Sequence, residues 1–430
     1  MKTLPLPLEI FNNVFLFCLP DKREALHPNS APLVLMRVCT EWRTVALSMP
    51  QLWTSLCLPR HMPDGPVQFQ SFLSALEGWL LRSEFLPLDI VLSTEVTRED
   101  MLAEILAILC FHSCRWRSFY LWLDHPVAVP HALASLTGCL PLLESCTFRD
   151  LTNSNGHVML GALLTAPRLQ DLSVGWFGSV QDWELPWPHL TSFAWGLDVG
   201  YCPLRDMISG ISQCRNLLRS QEVPHLLQLF LSVCIQQHLD VFLRSFILPR
   251  LQNLELDVSP DHKEEQYTLL PTTLLRFSSH CSSSLQILQL TNIHMEGVAL
   301  LEVLRNVPNL TFLGLSCAVF NARVVDALTL RFGADQVLIS GQNTKLLTFQ
   351  IALEDNPKFI PICGPFDAPF YNMLIDMVES RWFLPTNARD TNSDGILKLE
   401  RFILSHEDML RMKVEAPEAW ARFEGIHSLM

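Results

Sequence analysis

Pro249-Arg250-Leu251-Gln252-Asn253-Leu254-Glu255-Leu256 carries the pattern that decides how this chain folds: a proline, then apolar-x-x-apolar-x-apolar. Leu254 and Leu256 alternate with polar neighbours, which is the two-residue period of a strand with one buried face. Pro249 fixes its own φ two residues before the first leucine, where the chain turns into that strand. The pattern recurs along the chain. Earlier copies are Trp116, Phe119, Leu121; Leu143, Cys146, Phe148; Leu169, Leu172, Val174; Leu190, Phe193, Trp195; and Leu226, Leu229, Leu231. Later ones are Leu285, Leu288, Leu290 and Leu310, Leu313, Leu315, with Leu346, Phe349, Ile351 and Leu399, Phe402, Leu404 as degenerate last copies. Pro141, Pro167, Pro188, Pro224 and Pro308 introduce other copies at the same offset.

Between copies the period changes. Residues 101–110 and 297–307 space their apolar side chains as helices do, so the repeating unit is a strand followed by a helix. One such unit cannot bury both of its faces, and neighbours must stack. The pattern resembles a leucine-rich repeat. That resemblance implies an α/β horseshoe with parallel strands inside and helices outside, irregular because the usual asparagine or cysteine ladder position is mostly missing. A doubly wound α/β domain is the alternative. The expected solenoid covers residues 101–355, after a connecting segment at 59–100 that leads into the first repeat. Residues 356–430 would hold the degenerate last repeat and a cap, with helices at 373–382, 407–412 and 416–423. The charged stretch 261–271 and the proline-rich stretch 355–369 interrupt the rhythm. Polar side chains between the apolar positions would line the concave face, so Gln170, Asp171, Ser173, Gln252, Asn253, Glu255, Gln286 and Gln289 are the candidates for holding a target.

The first fifty-odd residues read differently. Pro7 suits the first turn of a helix, and Glu9 meets the positive end of its dipole. Leu6, Ile10 and Val14 recur at helical spacing, widened by Phe11 and Phe15, and the helix is expected to end before Pro20. After a polar loop at 21–32, Leu35, Val38, Cys39, Trp42 and Ala46 form a second stripe that Pro50 stops. Helices this short cannot bury so much apolar surface among themselves, which predicts an interface. Leu6-Pro7-x-Glu9-Ile10, then Val38-Cys39-x-x-Trp42-Arg43, then Leu52-Trp53 resembles an F-box, close to the F-box-like domains of large fungal families, over about residues 4–58. The loop at 21–32 is longer than in a minimal F-box. The resemblance implies a small all-α F-box domain at 1–58. It also implies contact of Leu6, Pro7, Ile10, Leu35, Val38 and Trp42 with the Skp-type adaptor of a cullin-RING ubiquitin ligase, and through it with a cullin.

Composition bounds the rest. The chain has 430 residues, 49% hydrophobic and 17% charged, which implies a large buried interior. A net charge of -13 and the lack of basic runs argue against nucleic acid as a partner. The longest apolar runs, such as 226–235, are too short to span a bilayer, and no secretory signal is expected, so the protein should be intracellular and act away from membranes. The 13 cysteines are scattered and odd in number, as reduced buried thiols would be. Cys110, His112 and Cys114 lie close together, but no second ligand pair follows at metal-site spacing. Asp390-Thr391-Asn392-Ser393-Asp394-Gly395 matches the first half of a calcium loop; its twelfth position is Arg401, so a polar inter-repeat turn is the preferred reading. No metal or other cofactor is expected. Gly-x-Ser-x-Gly, a phosphate loop and Gly-x-Gly-x-x-Gly are all absent, and His406-Glu407 lacks a second histidine at position 410. The expected function is that of a non-catalytic substrate receptor. A non-degradative scaffold and, less favoured, an α/β enzyme without recognisable motifs are the alternatives.

Overall fold

The computed structural model describes residues 8–20, 27, 29–96, 98–123, 125, 127–149, 158–159, 161–175, 189–195, 221–233, 239, 243–244, 246–258, 271–291, 293, 295, 297–316, 321–352, 367–385 and 396–427. They fall into two compact units, the first holding the described residues up to Leu190 and the second those from Thr191 on. The chain is α/β. Among the described residues, five strands run parallel in the first unit and seven in the second.

The first unit opens with α1 (Leu8–Phe17), a 3-10 turn at Leu35–Arg37, α2 (Thr40–Leu47) and a second 3-10 turn at Pro50–Trp53. The second apolar stripe is therefore broken where one helix was expected. Cys39 is extended there, and its sulfur accepts from the Trp42 amide at 3.4 Å, so α2 starts with its own cap. Next come β1 (Ser55–Cys57), α3 (Pro66–Arg82), β2 (Leu88–Thr94), α4 (Glu99–Phe111), β3 (Trp116–Leu123), α5 (Pro130–Ala134), β4 (Ser145–Arg149) and β5 (Asp171–Val174). The strands pair in sequence order, and the repeat supplies the register: Phe119 faces Cys146, Cys146 faces Leu172, Leu121 faces Phe148 and Phe148 faces Val174. All six are buried.

Within the stretch 59–100, expected to connect, β2 joins this ladder. Ile90 and Leu92 of β2 face Phe119 and Leu121 of β3, and Leu56 of β1 faces Ile90. Two copies thus precede the first one visible by spacing. Trp53, Leu56 and Leu58 form one, overlapping the end of the helical motif, and in the other Pro87 stands where the first apolar residue belongs. α4 buries Met101, Leu102, Ile105, Leu106, Leu109 and Cys110, about 1.5–3 kcal/mol for each larger side chain.

The second unit holds β6 (Ser192–Trp195), β7 (Gln221–Glu222), β8 (Gln228–Val233), β9 (Phe246–Ile247), β10 (Asn253–Val258), α6 (Pro271–His280), β11 (Ile287–Thr291), α7 (Gly297–Asn306), β12 (Phe312–Ser316) and α8 (Ala322–Leu328). After β13 (Arg331–Phe332) and β14 (Leu338–Ser340) come β15 (Thr348–Ala352), α9 (Ala368–Trp382), β16 (Arg401–Leu404), α10 (His406–Glu415) and α11 (Pro417–His427). Its parallel ladder runs β6-β8-β10-β11-β12-β15-β16, while β7 with β9 and β13 with β14 make separate two-stranded pairs. Leu254 faces Leu229 and Leu288, Leu288 faces Leu313, Leu313 faces Phe349 and Phe349 faces Phe402. Within each unit the order follows the sequence, without the reversal that a doubly wound sheet needs.

One hydrogen-bond device repeats at the entry to these strands: two successive amides share the carbonyl of the residue just ahead of the neighbouring strand. Gln170 and Asp171 donate to Glu144 at 2.9 and 3.0 Å, Gln252 and Asn253 to Leu227 at 2.8 and 3.0 Å, and Gln286 and Ile287 to Gln252 at 2.8 and 2.9 Å. Thr311 with Phe312, Leu347 with Thr348, and Glu400 with Arg401 repeat it. The polar residues just before each strand therefore serve the ladder through their backbone, whatever their side chains do.

Helix termini are satisfied by buried polar groups from distant segments. Arg115 reaches the end of α3, its Nε donating to Leu86 O at 3.0 Å and another guanidinium nitrogen to Ser83 Oγ at 2.5 Å. Asn343, at φ +50, donates from Nδ2 to Leu304 O at 3.2 Å and Val307 O at 2.8 Å, which closes α7.

Burial also predicts thiol chemistry. Cys57, Cys110, Cys146 and Cys281 are buried, and desolvation pushes the last three up to about 12, whereas Cys18, Cys114 and Cys139 are exposed. Alkylation of the folded protein at mildly alkaline pH is expected to label the exposed three, and Cys146 on the order of a hundredfold more slowly or less. Peptide mapping that finds Cys146 labelled as fast as Cys139 would contradict this packing.

Candidate docking surfaces

α1 is apolar on more than one side. Phe11 and Phe15 are buried and meet Trp42 of α2, with ring centroids 6.1 and 5.0 Å away and the two phenylalanines 5.9 Å apart. That cluster joins the two helices. The other side carries Ile10, Val14 and Phe17, which are 44%, 43% and 91% exposed, at the spacing of one helical face. Val38, at the break between the 3-10 turn and α2, is 56% exposed, and Leu47 at the end of α2 is also exposed.

The expected adaptor-facing set is accordingly divided. Ile10 and Val38 lie at the surface. Trp42 is half-buried at the aromatic cluster. Leu35 is only 4% exposed and packs inside the helical unit. Leu6 and Pro7 lie outside the described residues.

Electrostatics adds little to this face. Glu41 sits in the first turn of α2, where a backbone N–H and hydrogen bonds from Cys39 and Thr40 hold its carboxyl below the usual range. Being fully exposed, it is a solvated cap and not a buried charge.

The candidates for holding a target occupy the positions between the apolar rungs. In the first unit Gln170 and Asp171 are exposed and Ser173 is half-buried; desolvation, then the charge of Glu144, pushes the Asp171 carboxyl up. In the second unit Gln252 and Gln286 are exposed, and Asn253, Glu255 and Gln289 are half-buried. Asn253 Nδ2 donates to Glu255 Oε1 at 3.0 Å, and Ser232 donates to Asp257 at 3.0 Å. Gln289 faces Gly314, where an added Cβ would lie 3.2 Å from the Gln289 chain and 3.0 Å from the Phe312 ring. The glycine makes room there.

The same face of the first unit carries a group the polar pattern does not reveal. Tyr120 and Trp122 lie 6.4 Å apart on β3, and the Arg149 guanidinium stands 4.8 Å over the Trp122 ring. Phe119, Leu121 and Leu123 are buried, so alternation alone turns Tyr120 and Trp122 to the opposite side; the signal was present in the residue types. At the start of this face Arg117 binds Asp89 through two hydrogen bonds of 2.9 and 2.5 Å.

Among the described residues no group of three or more His, Cys, Asp or Glu is placed to hold a metal ion. Cys110 is buried and Cys114 exposed. The calcium-like stretch 390–395 lies outside the described residues. No described helix is long and apolar enough to cross a membrane. No protein-family model matches the chain. No curated protein matches it either.

Proposed function

We propose that the chain is the substrate-receptor subunit of a Skp-cullin-type ubiquitin ligase. In this reading residues 1–58 are an F-box that docks on the adaptor, and the parallel ladder is an irregular leucine-rich-repeat horseshoe that holds a target protein. The observation that carries it is α1: one face is spent on Phe11 and Phe15, and the Ile10, Val14 and Phe17 face is left apolar and open. A monomeric protein gains nothing from that exposure, and a docking helix requires it. The order of the motif residues supplies the partner class. The chain's contribution to chemistry would be proximity, raising the effective concentration of a target lysine near a charged conjugating enzyme without a catalytic residue of its own.

The test uses the purified full chain and a purified Skp-type adaptor. Ile10→Asp combined with Val38→Asp places two charges in a desolvated contact and is expected to weaken binding on the order of a hundredfold or more. Both positions are exposed, so the thermal midpoint should stay within a degree or two. Unchanged adaptor affinity would overturn the reading. Turnover of a bound partner in cells, compared with and without residues 1–58, separates a receptor from a non-degradative scaffold.

A further inference from the structure

We propose that the outer edge of β16 accepts an extended acidic segment of a partner protein as an added strand, independently of the adaptor reading. β16 is the last strand of its ladder, and among the described residues it pairs with β15 alone. The Arg401 amide donates to Leu347 O at 3.1 Å, toward β15. Alternation along a parallel strand then turns the backbone groups of Phe402 and Leu404 to the open side.

That side is not a flat rim. A cleft of about 570 Å³ runs along residues 398–404 and is walled by Trp382 at the end of α9, Met409 of α10 and Phe423 of α11. An incoming strand would therefore find main-chain partners along β16 and an apolar wall for every second side chain. Ile403, 42% exposed, extends the apolar surface on the other face of the strand.

Charge selects the occupant. Lys398 and Arg401 are exposed at the cleft with Glu400 as the one anion of that stretch, in a chain whose net charge is -13. The Lys398 ammonium lies 5.0 Å above the Trp382 ring, which holds it at the mouth. A second copy of the same edge would bring two such cationic pairs together, which disfavours self-pairing, whereas a strand alternating apolar and acidic residues answers both features.

The probe is N-acetyl-Glu-Val-Glu-Val-Glu-Val-amide added to the full chain, with amide hydrogen exchange as the site readout and fluorescence anisotropy of a labelled copy as the affinity readout. Slowed exchange at Phe402 and Leu404 is expected, with affinity falling as salt rises. Lys398→Glu with Arg401→Glu should weaken binding at least tenfold, and N-methylation of alternate peptide amides should abolish it. The proposal is overturned if exchange at 399–404 is unaffected at millimolar peptide, or if the reversed-charge variant binds equally well. It also fails if a Lys-Val peptide binds as tightly, or if sedimentation shows a dimer that Arg401→Glu dissolves. None of these readouts depends on the adaptor.

Discussion

Replacing Arg381 with leucine is expected to destabilise the second unit by about 3–5 kcal/mol, the cost of breaking a buried charged network on one side. The side chain has no exposed surface. Its Nε donates to Leu328 O at 2.8 Å, one terminal nitrogen to Asn343 O at 2.9 Å and the other to Gln342 O. Leu328 is the last residue of α8, whose carbonyl end carries the negative pole of the helix, and Gln342 and Asn343 form the turn into β15. One planar fork thus joins α8, α9 and the entry to a strand. Burial pushes the guanidinium down to about 9, still above neutral, so it remains charged and donates in all three directions. Leucine fills much of the space but leaves three carbonyls without partners. Lysine keeps the charge yet cannot reach three divergent acceptors, so Arg381→Lys should cost about 1–3 kcal/mol. Urea unfolding of the three proteins measures the order. A loss below about 1 kcal/mol for Arg381→Leu would show that the fork is dispensable.

Such a residue is not legible in a sequence. An arginine inside an apolar helix reads as a polar break, and its acceptors lie 38 to 53 residues away. The strand rungs were legible for the opposite reason: the apolar-x-x-apolar-x-apolar spacing is local, and packing repeats it until Leu254, Leu288, Leu313, Phe349 and Phe402 stand in one row. Where the local signal overlaps another, it is lost, as at Trp53, which serves both the helical motif and the first rung. Surface assignment was legible only in part. Periodicity identifies α1 as apolar without saying which apolar face the fold consumes, and Leu35 shows that a motif position need not be a surface position. Polarity was a poor guide to the open face, since Tyr120 and Trp122 lie there among the serines and threonines.

Trp53→Ala is the second large effect expected, about 3–5 kcal/mol, because it removes the side chain that ties the N-terminal helices to the ladder. The indole has no exposed surface and donates from Nε1 to Ala46 O at 3.0 Å, within the last turn of α2. It meets Trp79 of α3 edge-on at 4.8 Å, and the Arg82 guanidinium lies 4.9 Å from its ring centre. A single residue therefore contacts α2, begins the first rung of the ladder and packs on the first helix that follows. Trp53→Phe keeps most of the apolar contact and loses the hydrogen bond to a buried carbonyl, which should cost about 1–3 kcal/mol. The gap between the two variants divides packing from hydrogen bonding. If the proposed adaptor docking requires α1 and α2 to be held firmly, Trp53→Ala should weaken that docking as well as stability, although Trp53 itself is buried. Urea unfolding and adaptor titration on the same preparation decide this. Full stability in Trp53→Ala would mean that the helices and the ladder fold independently, and normal adaptor affinity despite lost stability would mean that the open face of α1 suffices by itself.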